Sequence, residues 1–113
     1  MAYIAWVLTV LETPTFAKQA DVYWEPPERE EFIDWIARNH ESGDVIPGSG
    51  GCRKVRWGVK GRGKSGGLRV IYYNMLADGR LVLLLVYGKN VVENIPGSTL
   101  KIVQEKIHAS FQK

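Results

Sequence analysis

A chain of 113 residues, 45% of them apolar, has the material for one hydrophobic core and reads as a single domain over residues 1–113. Four Trp, five Tyr and three Phe exclude a disordered polymer, no window approaches the ~20 apolar residues of a membrane helix, and the single Cys52 excludes an intrachain disulfide. The net charge of +3 conceals a segregation: residues 1–44 carry nine acids against three bases, net −6, whereas residues 45–77 carry Arg53, Lys54, Arg56, Lys60, Arg62, Lys64 and Arg69 with no acid, net +7. Such a block marks a polyanion site, because Lys and Arg that neutralise phosphates release counterions; a solvated basic hairpin is the plain alternative.

In chain order, "YIAWVLTVLE" (3–12) reads as a buried strand. It lacks the Lys/Arg start and small-residue cleavage site of a signal peptide, and with one cysteine the expected location is the cytoplasm, away from any membrane. Thr13 as N-cap and Pro14 at the first position predict a short helix with Phe16, Ala20 and Tyr23 on one face. "EPPEREEFIDWIARNHESGD" predicts a second, with Glu28, Glu30 and Glu31 in its first turn, Phe32, Trp35 and Ile36 facing inward and Gly43 as its stop. Three β-type runs follow at 52–58, 67–76 and 80–88, the last two joined by "ADGR", whose Asp-Gly pair signals a hairpin. A final helix is predicted with Ser98 as cap and a stripe of Leu100, Val103, Ile107 and Phe111. The order β-α-α-β-β-β-α predicts an α+β fold: a mainly antiparallel sheet with two N-terminal helices and a C-terminal helix.

Residues 58–65, "GVKGRGKS", match the nucleotide-binding pattern G-x-x-x-x-G-K-[ST] letter for letter. A working phosphate loop follows an apolar strand and opens into a helix whose N–H groups hold the phosphates. Here "CRKVRW" precedes it, with three cations in six residues, and "GGLRVIYY" after it is strand. The match is therefore read as a glycine-rich basic connection between strands, whose cations reach a nucleic-acid backbone as readily as a triphosphate.

Alternation along strands places Lys54 and Arg56 on one face and Val55 and Trp57 on the other, with Arg69 sharing a face with Ile71 and Tyr73. If the strands are adjacent, one face collects Lys54, Arg56, Arg69, Tyr87 and Lys89. An arginine inside a β-branched strand is costly unless paired or functional, so Arg69 is the most informative residue; a structural ion pair with an N-terminal acid is its alternative role. His40 and His108 lie far apart, no compact carboxylate cluster accompanies the basic strands, and no base neighbours Cys52, so neither a metal site nor a catalytic thiol is expected. Lys, Arg and Tyr suit electrostatic catalysis on phosphate, and RNA brings its own nucleophile in the 2′-hydroxyl, so no cofactor is required.

Taken together, "GDVIPGSGGCRKVRW", "KGRGKSGGLRVIYY" and "LLLVYGKN" resemble the RelE/HigB superfamily of bacterial type II toxins, and most the HigB branch, over roughly residues 43–107. The resemblance implies an mRNA interferase that enters the ribosomal A site, cleaves the bound message and is held inactive by a HigA-like helix-turn-helix antitoxin. Position by position, it implies Arg69 at the scissile phosphate, Lys54, Arg56, Lys60 and Lys64 as RNA-binding or catalytic residues, and Tyr87 and Lys89 near the active site; we expect Tyr87 or one of Lys54 and Lys89 to transfer the proton, with Arg56, Lys60, Arg62 and Lys64 as RNA-binding clamps. RelE proteins place a catalytic Tyr near the C-terminus, whereas the last tyrosine here is Tyr87. Two rival readings stand beside it: a ParE-like gyrase poison of the same fold, and a non-enzymatic nucleic-acid-binding module.

Overall fold

The computed structural model describes residues 7–58, 67–88 and 95–111. Its elements are β1 (Thr9–Glu12), α1 (Pro14–Tyr23), α2 (Pro26–Arg38), β2 (Asp44–Val45), β3 (Cys52–Trp57), β4 (Leu68–Met75), β5 (Arg80–Gly88) and α3 (Gly97–Ser110). The strands form one sheet in the order β1-β5-β4-β3-β2, with β1 parallel to β5 and every other pair antiparallel, so the α+β reading holds. No helix among the described residues is long and apolar enough to cross a membrane.

α1 begins as its sequence dictates. Thr13 is extended, its hydroxyl oxygen accepts from the Phe16 amide at 3.2 Å, and Pro14 supplies the first-turn geometry. The same hydroxyl donates to the Leu83 carbonyl at 2.9 Å, tying the cap to β5. β1 pairs with β5 only as far as Leu83. Beyond that point α1 takes over, because Gln19 Oε1 accepts from the Val86 amide at 2.9 Å and the Tyr23 hydroxyl from the Gly88 amide at 3.1 Å. These bonds satisfy backbone donors that an edge would leave open and hold the end of β5 in place.

α2 opens with the Glu28 carboxylate accepting from the Glu25 amide at 3.2 Å, at the positive end of the helix. It stops at Arg38, earlier than the predicted Gly43, where the Asn39 side-chain Nδ2 donates to the Trp35 carbonyl at 2.8 Å and satisfies an end group. Gly43 has a different task. Its amide donates to the Tyr72 hydroxyl at 2.9 Å, and a Cβ there would lie 2.9 Å from that same oxygen. Tyr72, fully buried, in turn donates to the His40 carbonyl at 2.8 Å, so one phenol joins the end of α2 to the entry of β2. Tyr72→Phe is expected to leave the Gly43 amide without its partner, while the His40 carbonyl keeps the Asn74 side-chain amide at 2.8 Å, and to cost about 1–3 kcal/mol in denaturant unfolding, with the m-value unchanged.

Two cores sandwich the sheet. On one face α1 and α2 bury Phe16, Trp24 and Phe32 against Val55, Val70 and Leu83, extended by ring contacts of Phe32 and Trp35 with Trp57 at 5.1 and 5.0 Å. On the other, α3 packs Leu100 against Cys52, Ile71 and Leu84. The predicted "ADGR" hairpin forms, β4 and β5 being antiparallel neighbours joined by a 3-10 turn over Leu76–Asp78 closed by Gly79 at φ 65°, and β4–β5 slips register between Ile71 and Tyr72.

α3 differs from its predicted form. It starts at Gly97, and its buried residues are Leu100 and Gln104, while Val103 and Phe111 are 38% and 37% exposed. Any Cβ on Gly97 would strike the Pro47 carbonyl oxygen, and one on Gly50 would strike the Gln104 amide. Close approach at these two glycines sets the helix phase. Phe111 lies under the Arg80 guanidinium, 4.9 Å from its ring centroid, instead of joining the core.

Candidate active site

Register converts three separate runs into a row. Arg56 of β3 is paired with Arg69 of β4, and Arg69 with Tyr87 of β5, so the three side chains stand abreast on the α3 face of the sheet. One step along the strands lies a second row, Asp44–Lys54–Ile71–Leu85. α1 and the acidic α2 cover the opposite face, which leaves the cationic row on the side of the sheet away from them.

Two arginines directly opposite one another repel, and no described acid forms an ion pair with either. Among the described residues neither Arg56, Arg69 nor Lys54 forms an ion pair: the salt bridges join Arg29 to Glu12 and Asp21, and Arg38 to Asp34. The structural role considered for Arg69 is thus not filled by an N-terminal acid; among the described residues it makes a long 3.5 Å hydrogen bond to the Gly67 carbonyl. Arg53, in contrast, lies on the other face and donates to the Gly43 carbonyl at 2.7 Å and to that of Glu41 at 3.3 Å. One cation of the basic block is therefore a structural staple, and three stand uncompensated on one surface.

Tyr87 is 4% exposed. Burial pushes its phenol above the ordinary tyrosine range, with the Arg69 charge pulling back the other way. The group is consequently a hydrogen-bond donor at neutral pH. Cys52 is buried against α3, its thiol likewise pushed up by burial, and its amide donates to Ser49 Oγ at 3.0 Å, which is the setting of a packing residue. The His108 ring meets the Tyr73 hydroxyl at 3.3 Å, and the His40 backbone carbonyl receives Tyr72 and Asn74. Among the described residues no group of three or more His, Cys, Asp or Glu is placed to hold a metal ion.

Lys60, Arg62, Lys64 and Lys89 lie outside the described residues. The nucleotide-binding string has strand on both sides, β3 before it and β4 after it, so no helix follows to hold a triphosphate. The residue that sequence reasoning missed is Asp44. In the sequence it is merely the last of the nine acids of residues 1–44, but its two-residue strand pairs with β3 and sets it opposite Lys54, in a cleft of about 260 Å³ that Tyr87 also lines. A strand that short leaves no periodicity to read.

No family model matches the chain. Among solved structures it is similar to an arginine-to-alanine double mutant of the Escherichia coli toxin RelE in the free state, at 10% identity and a TM-score of 0.60, over 87% of this chain and 97% of that one. The fold is RelE-like.

Proposed function

We propose that the chain is the toxin of a type II toxin–antitoxin pair, a ribosome-dependent and metal-independent endoribonuclease of the HigB type. The observation that carries this reading is the uncompensated Arg56–Arg69–Tyr87 row. Cations held side by side and not ion-paired to any described carboxylate suit a phosphate in transit to a more negative transition state. Support for the toxin assignment comes from the shared fold with a protein described as a toxin.

In this mechanism the RNA 2′-oxygen attacks the adjacent phosphorus as the P–O5′ bond breaks, leaving a cyclic phosphate and a 5′-hydroxyl. Arg69 stabilises the charge on the phosphorane oxygens, Tyr87 donates a proton toward the departing 5′-oxygen, Lys89 is assigned to the 2′-hydroxyl proton, and Lys54 stands beside the row as a further cation. Arg56, Lys60, Arg62 and Lys64 clamp the backbone. A HigA-like helix-turn-helix antitoxin would hold the chain inactive, and the message in the ribosomal A site is the substrate.

The test is to map message ends after induction. Breaks inside translated codons, dependent on ribosomes and insensitive to chelation, are the expected result. Damaged DNA with intact messages would point to gyrase instead, and salt-sensitive binding without any cleavage would leave only a nucleic-acid-binding module.

A further inference from the structure

The cleft beside the basic row is not built only for phosphate. Its walls include Ile46, Ile71 and Ile95, with Tyr87 at one side and Asp44 and Lys54 at the other. Apolar walls with a few convergent polar groups are the ordinary form of a small-ligand pocket. The puzzle is Asp44. A carboxylate on a surface that gathers polyanion works against phosphate binding, and although it is the register partner of Lys54, it forms no ion pair with that ammonium.

We infer that this cleft is a nucleobase pocket selective for guanine, with the Asp44 carboxylate accepting from N1–H and N2–H and the Lys54 ammonium donating to O6. The inference rests on the reading of the adjacent row as an RNA-phosphate site, since the base must enter while its backbone lies on Arg69. The chemistry distinguishes the four bases. A carboxylate only accepts, and guanine alone offers two adjacent N–H donors that match its two oxygens, next to an acceptor suited to a cation. Adenine and cytosine each place an acceptor beside their amino group, and uracil flanks its N–H with two carbonyls that repel the carboxylate. The isoleucine walls and the Tyr87 ring bury the flat base without further selection.

The experiment is a titration of the purified chain with the 5′-monophosphates of guanosine, adenosine, cytidine and uridine, followed by amide chemical shifts. Guanosine monophosphate is expected to bind roughly tenfold or more tightly than the other three, the discrimination of one good bidentate pair. In Asp44→Asn, an exposed position whose exchange spares the core, that preference is expected to vanish. Equal affinities in the native chain, no binding by any nucleotide, or a guanine preference surviving in D44N would each overturn the pocket. Mapped message ends supply a second readout: native cuts cluster at guanine, and the remaining D44N cuts spread over all four bases. Selective guanosine binding with intact messages would sink the ribonuclease reading and keep the pocket, whereas native cleavage whose base pattern is unchanged in D44N would do the reverse.

Discussion

Arg69→Ala is expected to abolish growth arrest on expression and to slow message cleavage on translating ribosomes about 10²–10³-fold, the usual loss when one preorganised transition-state donor is removed. The fold should survive. Arg69 is half-buried, has no ion pair to break and stands opposite Arg56, so its removal relieves a repulsion while losing only the packing of its aliphatic stem. Circular dichroism and the denaturation midpoint should therefore stay close to those of the native chain while activity disappears. Arg69→Lys separates charge from geometry: it retains the cation but not the planar two-pronged donor, so an intermediate loss is expected. A folded Arg69→Ala chain that still arrests growth would remove Arg69 from the chemistry.

How far this site could be read from the sequence depends on where each signal resides. Alternation within a strand is local, so the facing of Lys54, Arg56, Arg69 and Tyr87 was legible, and Thr13 with Pro14 announced α1 through chemistry confined to one turn. Register is not local. That Arg56 stands opposite Arg69 rather than one step away is settled by the pairing of β3 with β4, not by either run alone. The phase of α3 was misread for a related reason: an apolar stripe containing Val103 and Phe111 is visible in the sequence, but the glycine contacts that turn Gln104 inward belong to a turn some 50 residues earlier. Asp44 escaped notice because the two residues of β2 gain their place only from β3. The division of labour among the cations was equally hidden, since nothing in "CRKVRW" says that Arg53 secures two carbonyls while Arg56 is left open.

Tyr87→Phe is the second large effect expected, a fall in cleavage rate of about 10²-fold or more, as general acid catalysis typically contributes 10²–10⁴. Phenylalanine keeps the ring in the core beneath α3 and removes only a hydroxyl that has no hydrogen-bond partner among the described residues, so stability should change little. The pH dependence distinguishes donor from base. Burial raises the Tyr87 phenol above 10, and this outweighs the opposing pull of Arg69. A base would have to be phenolate, and its contribution would climb about tenfold per pH unit toward that range. As a donor, Tyr87 is fully protonated from neutral pH to pH ~9, and its contribution is flat there. The ratio of native to Tyr87→Phe cleavage rates, measured in single turnover between those limits, should accordingly stay constant. A ratio that rises steeply with pH would make Tyr87 the proton acceptor. The linkage to stability runs the same way: a phenol whose pKa is raised on folding stabilises the native state fully below the unfolded value and loses that contribution as pH rises through the folded one. Any alkaline loss of activity in the native chain should therefore begin no earlier than the ordinary tyrosine range, and the part due to Tyr87 should be missing from the phenylalanine variant.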